Sequence, residues 1–401
     1  MHEWERLRRA IAARALPCAV VDLDALERNV DRLIARAKGV PIRLATKSVR
    51  SPLLVHKIVA RSQGAVTGLM TFTAAESALW AERADTVARD LLLAYPTVQP
   101  SDLEAICAAN ARSTCAVVVD DRAQVEAIAA RARARGMIIP LCIEIDVAWR
   151  PLGDRRPVGV RRSPLFTVDK VVDMARAIAA TAGVRFHGVM AYEAHIAGLT
   201  DDSPFHAWQN HARRAMKRLA RPAVAKLRGE VVRALGEAGL PATIVNGGGT
   251  GSLDSTARDA SVSELTIGSG CLAPHLFDYY ADLALEPAAW FALQVVRRPS
   301  NEIVTCLGGG YVASGGAGRD RLPLPALPEG ATLLALEGAG EVQTPVRLPR
   351  GVTIALGDPM FFRHAKAGEL AEHFDEYLCV RGDQVVESAR TYRGMGRCFL
   401  G

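Results

Sequence analysis

The chain has no CxxC pair, no long apolar run, no low-complexity segment and few aromatic residues, which make up 5% of its 401 positions. Its eight cysteines (18, 107, 115, 142, 271, 306, 379 and 398) mostly lie in apolar runs. Reduced core thiols in a cytoplasmic protein are therefore expected. No apolar stretch approaches the roughly 20 residues of a membrane span, so no membrane association is expected. The first residues, "MHEWERLRRAIAARALPCAVVDL", lack a continuous apolar segment before a small-residue cleavage site, and no signal peptide is expected. A net charge of +6 is mild for this length, and arginines alternate with alanines, as in "RARARG" (131–136), instead of gathering with aromatics. That pattern is a solvated helix face and excludes a nucleic-acid groove. A G-x-G-x-x-G is missing after the first apolar run, which counts against an open dinucleotide-binding sheet.

What is present is alternation. Short apolar runs recur at 18–22, 42–46, 65–70, 91–95, 115–119, 141–146, 186–191, 242–246 and 264–268. Helical patterns lie between them, among them 25–37, 73–84 and 169–182. Strands alternating with helices imply right-handed parallel βαβ units. Counting from "IRLAT" (42–46) gives eight strands, the number that closes a (β/α)8 barrel. "CAVVD" (18–22) is then one strand too many. After about residue 285 the texture becomes strand-like runs separated by Gly/Pro turns, as in a mostly antiparallel β domain. The expected division is a barrel over 24–284, with 1–23 and 285–401 forming a β domain that takes up the spare strand.

In such barrels the chemistry comes from the C-terminal ends of the strands. Lys47 ends the first barrel strand, within "IRLATKSVRS". The seventh strand runs into "NGGGTGS" (246–252) and the eighth into "GSG" (268–270). Successive glycines let backbone N–H groups converge on a phosphate, and Thr250 and Ser252 add hydroxyls. Closure makes strand eight the neighbour of strand one, so the phosphate cup and Lys47 share one mouth. A phosphate cup beside a strand-end lysine suggests pyridoxal phosphate, held at one end by its phosphate and at the other by a Schiff base. Asp146 and Arg150, and then Tyr192, Glu193 and His195, follow other strands into the same mouth, whereas Asp120 and Asp121 read as a helix cap.

At these residues the chain resembles the fold-type III pyridoxal phosphate enzymes, the alanine racemase superfamily, and within it the D-threonine aldolase and D-serine dehydratase-like branch. The resemblance runs through "LPCAVVDLDALERNV" (16–30), "IRLATKS", "GLMTFTAAESALWA" (68–81), "DLLLAYPTV" (90–98), "EIDVAWRPLG" (144–153) and "GVMAYEAH" (188–195). It continues through "VNGGGTGS", "ELTIGSG", "GDPMFFRHAKAGELAEHF" (357–374) and "TYRG" (391–394). It implies that Lys47 carries the cofactor, that Gly248, Gly249, Thr250, Gly268 and Ser269 hold its phosphate, and that Arg150 and Tyr192 flank its ring. It implies a homodimer acting on a small amino-acid substrate.

Departures from the branch bear on function. Its metal-dependent members carry a His-x-Cys or His-x-Asp pair where this chain has His364-Ala365-Lys366. His364 stays a candidate metal ligand, but a protonated lysine is a poor one. Lys366 is then expected to act as a fixed cation, and His364 and Lys366 are the candidates for work at the substrate's β-oxygen. Ala45 stands where the branch usually has a histidine. The expected function is a lyase cleaving or dehydrating a β-hydroxy D-amino acid. The alternative is an amino-acid racemase with Tyr311 or Tyr392 as second base.

Overall fold

A computed structural model describes residues 2–83, 87–366 and 368–400. Strand β1 (Cys18–Asp22) is followed by eight parallel strands: β2 (Ile42–Ala45), β3 (Val66–Thr71), β4 (Asp90–Leu93), β5 (Thr114–Val119), β6 (Ile139–Glu144), β7 (Val184–Ala191), β8 (Ile244–Gly247) and β9 (Glu264–Ile267). They close into a barrel in chain order, and β9 pairs back onto β2 with Arg43 opposite Thr266. The closed eight-stranded barrel and the spare first strand are as the run count predicts.

Each strand reads as a continuous apolar run because both of its faces are buried. Along β5, Cys115, Val117 and Val119 join the large core under the helices, while Ala116 and Val118 point into a small separate cluster. That cluster, with Ala45, Met70, Leu92, Ala94, Cys142 and Met190, fills the middle of the barrel. The helix Leu23–Ala37 shows how the outer layer forms. Asp22 caps it by accepting from the Ala25 N–H at 2.9 Å, and Leu26, Val30, Leu33 and Ala37 fall on one buried stripe. The expected helices at 73–84 and 169–182 appear as Ala74–Ala81 and Val168–Ala179. Residue Ala84 lies outside the described residues.

The second layer holds β10 (Ala289–Ser300), β11 (Ile303–Leu307), β12 (Leu324–Leu327), β13 (Thr332–Leu333), β14 (Gln343–Arg347), β15 (Pro359–Arg363), β16 (Glu376–Arg381) and β17 (Gln384–Arg390). Strand β1 lies inside this sheet, antiparallel to β10 and parallel to β16. All other pairs in the sheet are antiparallel. Seven cysteines are buried, Cys398 is exposed, and all eight are free. Among the described residues no helix is long and apolar enough to cross a membrane.

Candidate active site

Strand β2 stops at Ala45 and the chain turns at once through Thr46–Ser48. Thr46 pins the turn by donating its hydroxyl to the Met70 carbonyl at 2.9 Å. The half-buried Lys47 ammonium donates to the Tyr95 phenolic oxygen at 2.6 Å. Ser48 and Ser269 share a hydroxyl–hydroxyl bond of 3.1 Å, which ties the lysine turn directly to the end of the eighth barrel strand.

The β domain grips the same turn from outside. Arg50 donates to the Lys47 carbonyl at 3.0 Å and pairs with Glu372, and its own carbonyl accepts from the Tyr392 N–H at 2.8 Å. Gly368 has φ +90°, and a side chain there would fall on the Lys47 carbonyl. Only glycine fits this approach.

The loop after β8 is held from beneath by Glu193. Its carboxylate accepts from the Gly248 N–H at 3.2 Å, from Ser252 Oγ at 2.8 Å and from the Thr256 hydroxyl, and it pairs with Arg228. Burial pushes this carboxyl up, but Arg228 and the two hydroxyls outweigh burial and hold it below the ordinary range. The sequence places Glu193 in the mouth with Tyr192, whereas it points the other way, under the loop. The Gly249 N–H is taken by Ser252 Oγ at 3.1 Å, and Thr250 Oγ1 accepts from the Gly270 N–H at 3.2 Å. Gly248 and Gly249 therefore spend their N–H groups inside the protein. A Cβ on Gly249 would lie 3.0 Å from the Tyr192 ring, and one on Gly268 would lie 2.8 Å from Ser48 Oγ. Both glycines keep the cup open.

Other strand ends complete the mouth. Arg150 pairs with Asp146 at 2.7 Å and lies over the Phe166 ring at 4.4 Å. Burial raises the Tyr192 phenol to about 12, and the Arg162 guanidinium lies 5.9 Å from its ring centre. Glu144 ends β6, 8% exposed, and burial raises its carboxyl to about 7 while Arg162 and Lys47 act against that rise. Asp121, not Asp120, caps the following helix by accepting from the Ala123 N–H at 2.7 Å.

From the β domain, Lys366 donates to the carbonyl and hydroxyl of Ser314, both at 3.3 Å. Burial lowers its pKa, Glu369 opposes that, and the charges of Arg321 and Lys47 add to the lowering. Lys366 is thus in the electrostatic neighbourhood of Lys47. His364 is buried with neither ring nitrogen hydrogen-bonded, and burial, Arg363 and His275 push its pKa down to about 3. Among the described residues no three His, Cys, Asp or Glu side chains come together as metal ligands. Two neutral imidazoles, His364 and His275, beside the Arg363 guanidinium and without a third ligand among the described residues do not fit a divalent ion, and no step is derived through one. Tyr392 is locked in a buried network, accepting from Trp80 Nε1 at 2.8 Å and donating to Glu76 at 2.6 Å. Tyr311 stacks on His373 at 4.3 Å.

Sequence reasoning did not single out Tyr95, Glu144 or Arg162. The apolar run 91–95 puts Tyr95 at the end of its strand, but β4 ends at Leu93 and leaves Tyr95 on the rim. The strand-end rule that selects Lys47 would have selected it too.

Pyridoxal phosphate fits the donor set. Lys47 offers an amine, Ser48, Thr250 and Ser269 offer hydroxyls from adjacent loops, and crowded glycines keep space beside them. A profile of the alanine racemase N-terminal domain matches residues 21–232, more than half of the chain. The 3-hydroxy-D-aspartate aldolase of Paracoccus denitrificans (strain Pd 1222) is 28% identical over 259 residues, covering 63% of this chain and 59% of that protein. The D-threo-3-hydroxyaspartate dehydratase of Delftia sp. (strain HT23) is 28% identical over 254 residues, covering 63% of this chain and 60% of its own length. The chain thus spans about three-fifths of the length of these curated relatives. The solved D-threonine aldolase of Filomicrobium marinum superposes with a TM-score of 0.77 at 23% identity, over 95% of both chains, which shows the fold.

Proposed function

The chain belongs to the alanine racemase N-terminal domain family, and on that premise we propose that it is a pyridoxal phosphate-dependent lyase acting on a β-hydroxy D-amino acid. The observation that carries this reading is the Ser48–Ser269 bond of 3.1 Å, which sets the lysine of strand one against the anion cup of strand eight. Pyridoxal phosphate, when bound, supplies an electron sink for negative charge at the substrate's α-carbon. Lys47 holds the cofactor through its amine and serves as base at that carbon. Thr250, Ser269 and Ser48 hold the phosphate, with Gly248, Gly249 and Gly268 shaping the cup. Arg150, fixed by Asp146, and Tyr192 flank the ring.

Lys366 supports the β-oxygen as a fixed cation, the task a metal ion performs elsewhere. His364 is buried and neutral, with neither ring nitrogen hydrogen-bonded. The names of the relatives favour a substrate such as 3-hydroxy-D-aspartate or D-threonine, by aldol cleavage or by dehydration and deamination. The free thiols support a cytoplasmic setting. A homodimer in which one copy's β domain closes the other's mouth is part of the reading. The racemase alternative has less support, since Tyr392 and Tyr311 are engaged elsewhere.

The test is spectroscopic first and chemical second. Purified protein mixed with pyridoxal phosphate is expected to gain a visible absorption band that Lys47→Ala does not form. With 3-hydroxy-D-aspartate it is expected to yield either glycine and an aldehyde or an oxo acid and ammonia. A colourless protein, or one returning only the mirror-image amino acid, would sink the lyase reading.

A further inference from the structure

Resting on that reading, we propose that Tyr95 is a catalytic residue: it relays a proton between Lys47 and the β-oxygen of the substrate. Tyr95 stands on the barrel rim just past β4, packed on the apolar cluster that fills the barrel. Its phenolic oxygen accepts from the Lys47 ammonium at 2.6 Å. A lysine ammonium has only donors, so the direction of this bond is fixed and the phenol's own proton must go elsewhere. Among the described residues that proton has no acceptor. Tyr95 is only half-buried on the rim. Lys366 and Tyr192 both lie within electrostatic range of the phenol. Tyr95 therefore touches the reacting amine and carries an uncommitted O–H into the space that Lys366 borders.

The geometry answers a chemical need. Lys47 acts at the α-carbon, while the bond to the oxygen lies at the β-carbon, and one ammonium cannot serve both atoms at once. In dehydration, Lys47 takes the α-proton, then passes a proton to the Tyr95 oxygen as Tyr95 gives its own to the β-hydroxyl. The β C–O bond breaks with its electron pair on oxygen, water leaves, and the α C–H pair becomes the Cα–Cβ double bond. In aldol cleavage the relay runs the other way. The β-hydroxyl proton goes to Tyr95 and the phenol's proton goes to Lys47. The β-carbon becomes a carbonyl, and the Cα–Cβ pair stays on the α-carbon until Lys47 returns the proton there. Atoms and charges balance in both directions, and neither direction needs a metal ion.

The test is Tyr95→Phe in the full chain, loaded with pyridoxal phosphate. Three quantities are read: the visible band, deuterium exchange at the α-carbon of D-alanine, and product formation from 3-hydroxy-D-aspartate. D-alanine has no β-oxygen, so its exchange reports Lys47 alone. The band is expected at wild-type intensity and the exchange within about threefold of wild type, whereas product formation falls about 10²-fold or more. Product formation within threefold of wild type would overturn the relay. So would exchange and product falling together, which would make Tyr95 a support for Lys47, or loss of the band, which would make it part of the cofactor's seat. A wild-type chain that takes up pyridoxal phosphate but forms no product removes the parent reading, and the relay with it. Failure of Tyr95→Phe alone leaves the parent reading standing.

Discussion

At the floor of the barrel Arg43 is enclosed and fully paired; at the mouth Lys47 and Lys366 have no carboxylate within ion-pair distance among the described residues. Arg43 donates to both Glu264 oxygens at 2.7 and 2.8 Å and to both Asp90 oxygens at 3.1 and 3.0 Å. Room for it is left by Gly68, where a Cβ would lie 2.6 Å from the guanidinium. Glu264 also accepts from Asn246 at 2.8 Å. A buried charge is tolerated when every partner is in place, and this group joins the first, third and eighth barrel strands at their N-terminal ends. The mouth is built the opposite way: Lys47 has a phenol for a partner and Lys366 has Ser314. Its cations are left to meet anions that the chain does not supply. The floor thus uses complete pairing to hold its shape, and in the proposed function the mouth uses incomplete pairing to bind and react.

Lys47→Ala should break the mouth alone. Product formation is expected to fall by roughly 10³-fold or more, with the denaturant midpoint unchanged; a large loss of stability would erase the contrast. Arg43→Met should break the floor alone. Leaving the buried Glu264 without its cation is expected to cost about 3–5 kcal/mol in urea unfolding, with turnover per folded molecule preserved. Glu193→Gln probes a support beneath the mouth that is built like the floor. Losing its charge against Arg228 should cost about 1.5–3 kcal/mol of stability and weaken pyridoxal phosphate uptake roughly tenfold. If uptake is untouched, the loop does not depend on that support.

The smallest effect is in pH dependence. Burial raises the Glu76 carboxyl from its ordinary 4.5 to about 7, against the opposing hydrogen bonds it receives. Between those values the folded chain holds a proton that the unfolded chain has released, so stability is full at the acid end and falls as pH rises. Glu144 at the mouth contributes with the same sign. Melting temperature should therefore decline less from about pH 5 to about pH 8 in Glu76→Gln than in wild type. An equal decline would place the titration in other groups.

The barrel, the spare strand and Lys47 were legible in the sequence because continuous apolar runs and their count carry that information locally. The β8 loop was legible from its glycines, but its workings were not. Glu193 follows Tyr192 directly, and adjacent residues past a strand end can point to opposite sides, a choice made by Arg228, which lies 35 positions away. Lys366 was found only as an oddity in a motif; its place near Lys47 depends on Gly368 meeting the Lys47 carbonyl across the fold. Tyr95 was missed because a strand's last residue and the first rim residue look alike in an apolar run. Arg43, Asp90 and Glu264 were passed over because each is a single charge in its own strand, and only closure of the barrel brings them together.

Strand β1 is paired between β10 and β16, so it is synthesised before the barrel yet takes its place in the middle of a sheet whose other strands all follow the barrel. At about 5–20 residues per second its neighbours leave the ribosome tens of seconds after it. Throughout that interval "CAVVD" is an apolar strand with two open edges, while the barrel that follows it can already close. The nascent chain therefore carries an exposed pairing template throughout that interval, which is where a chaperone, or an aggregation partner, would find it.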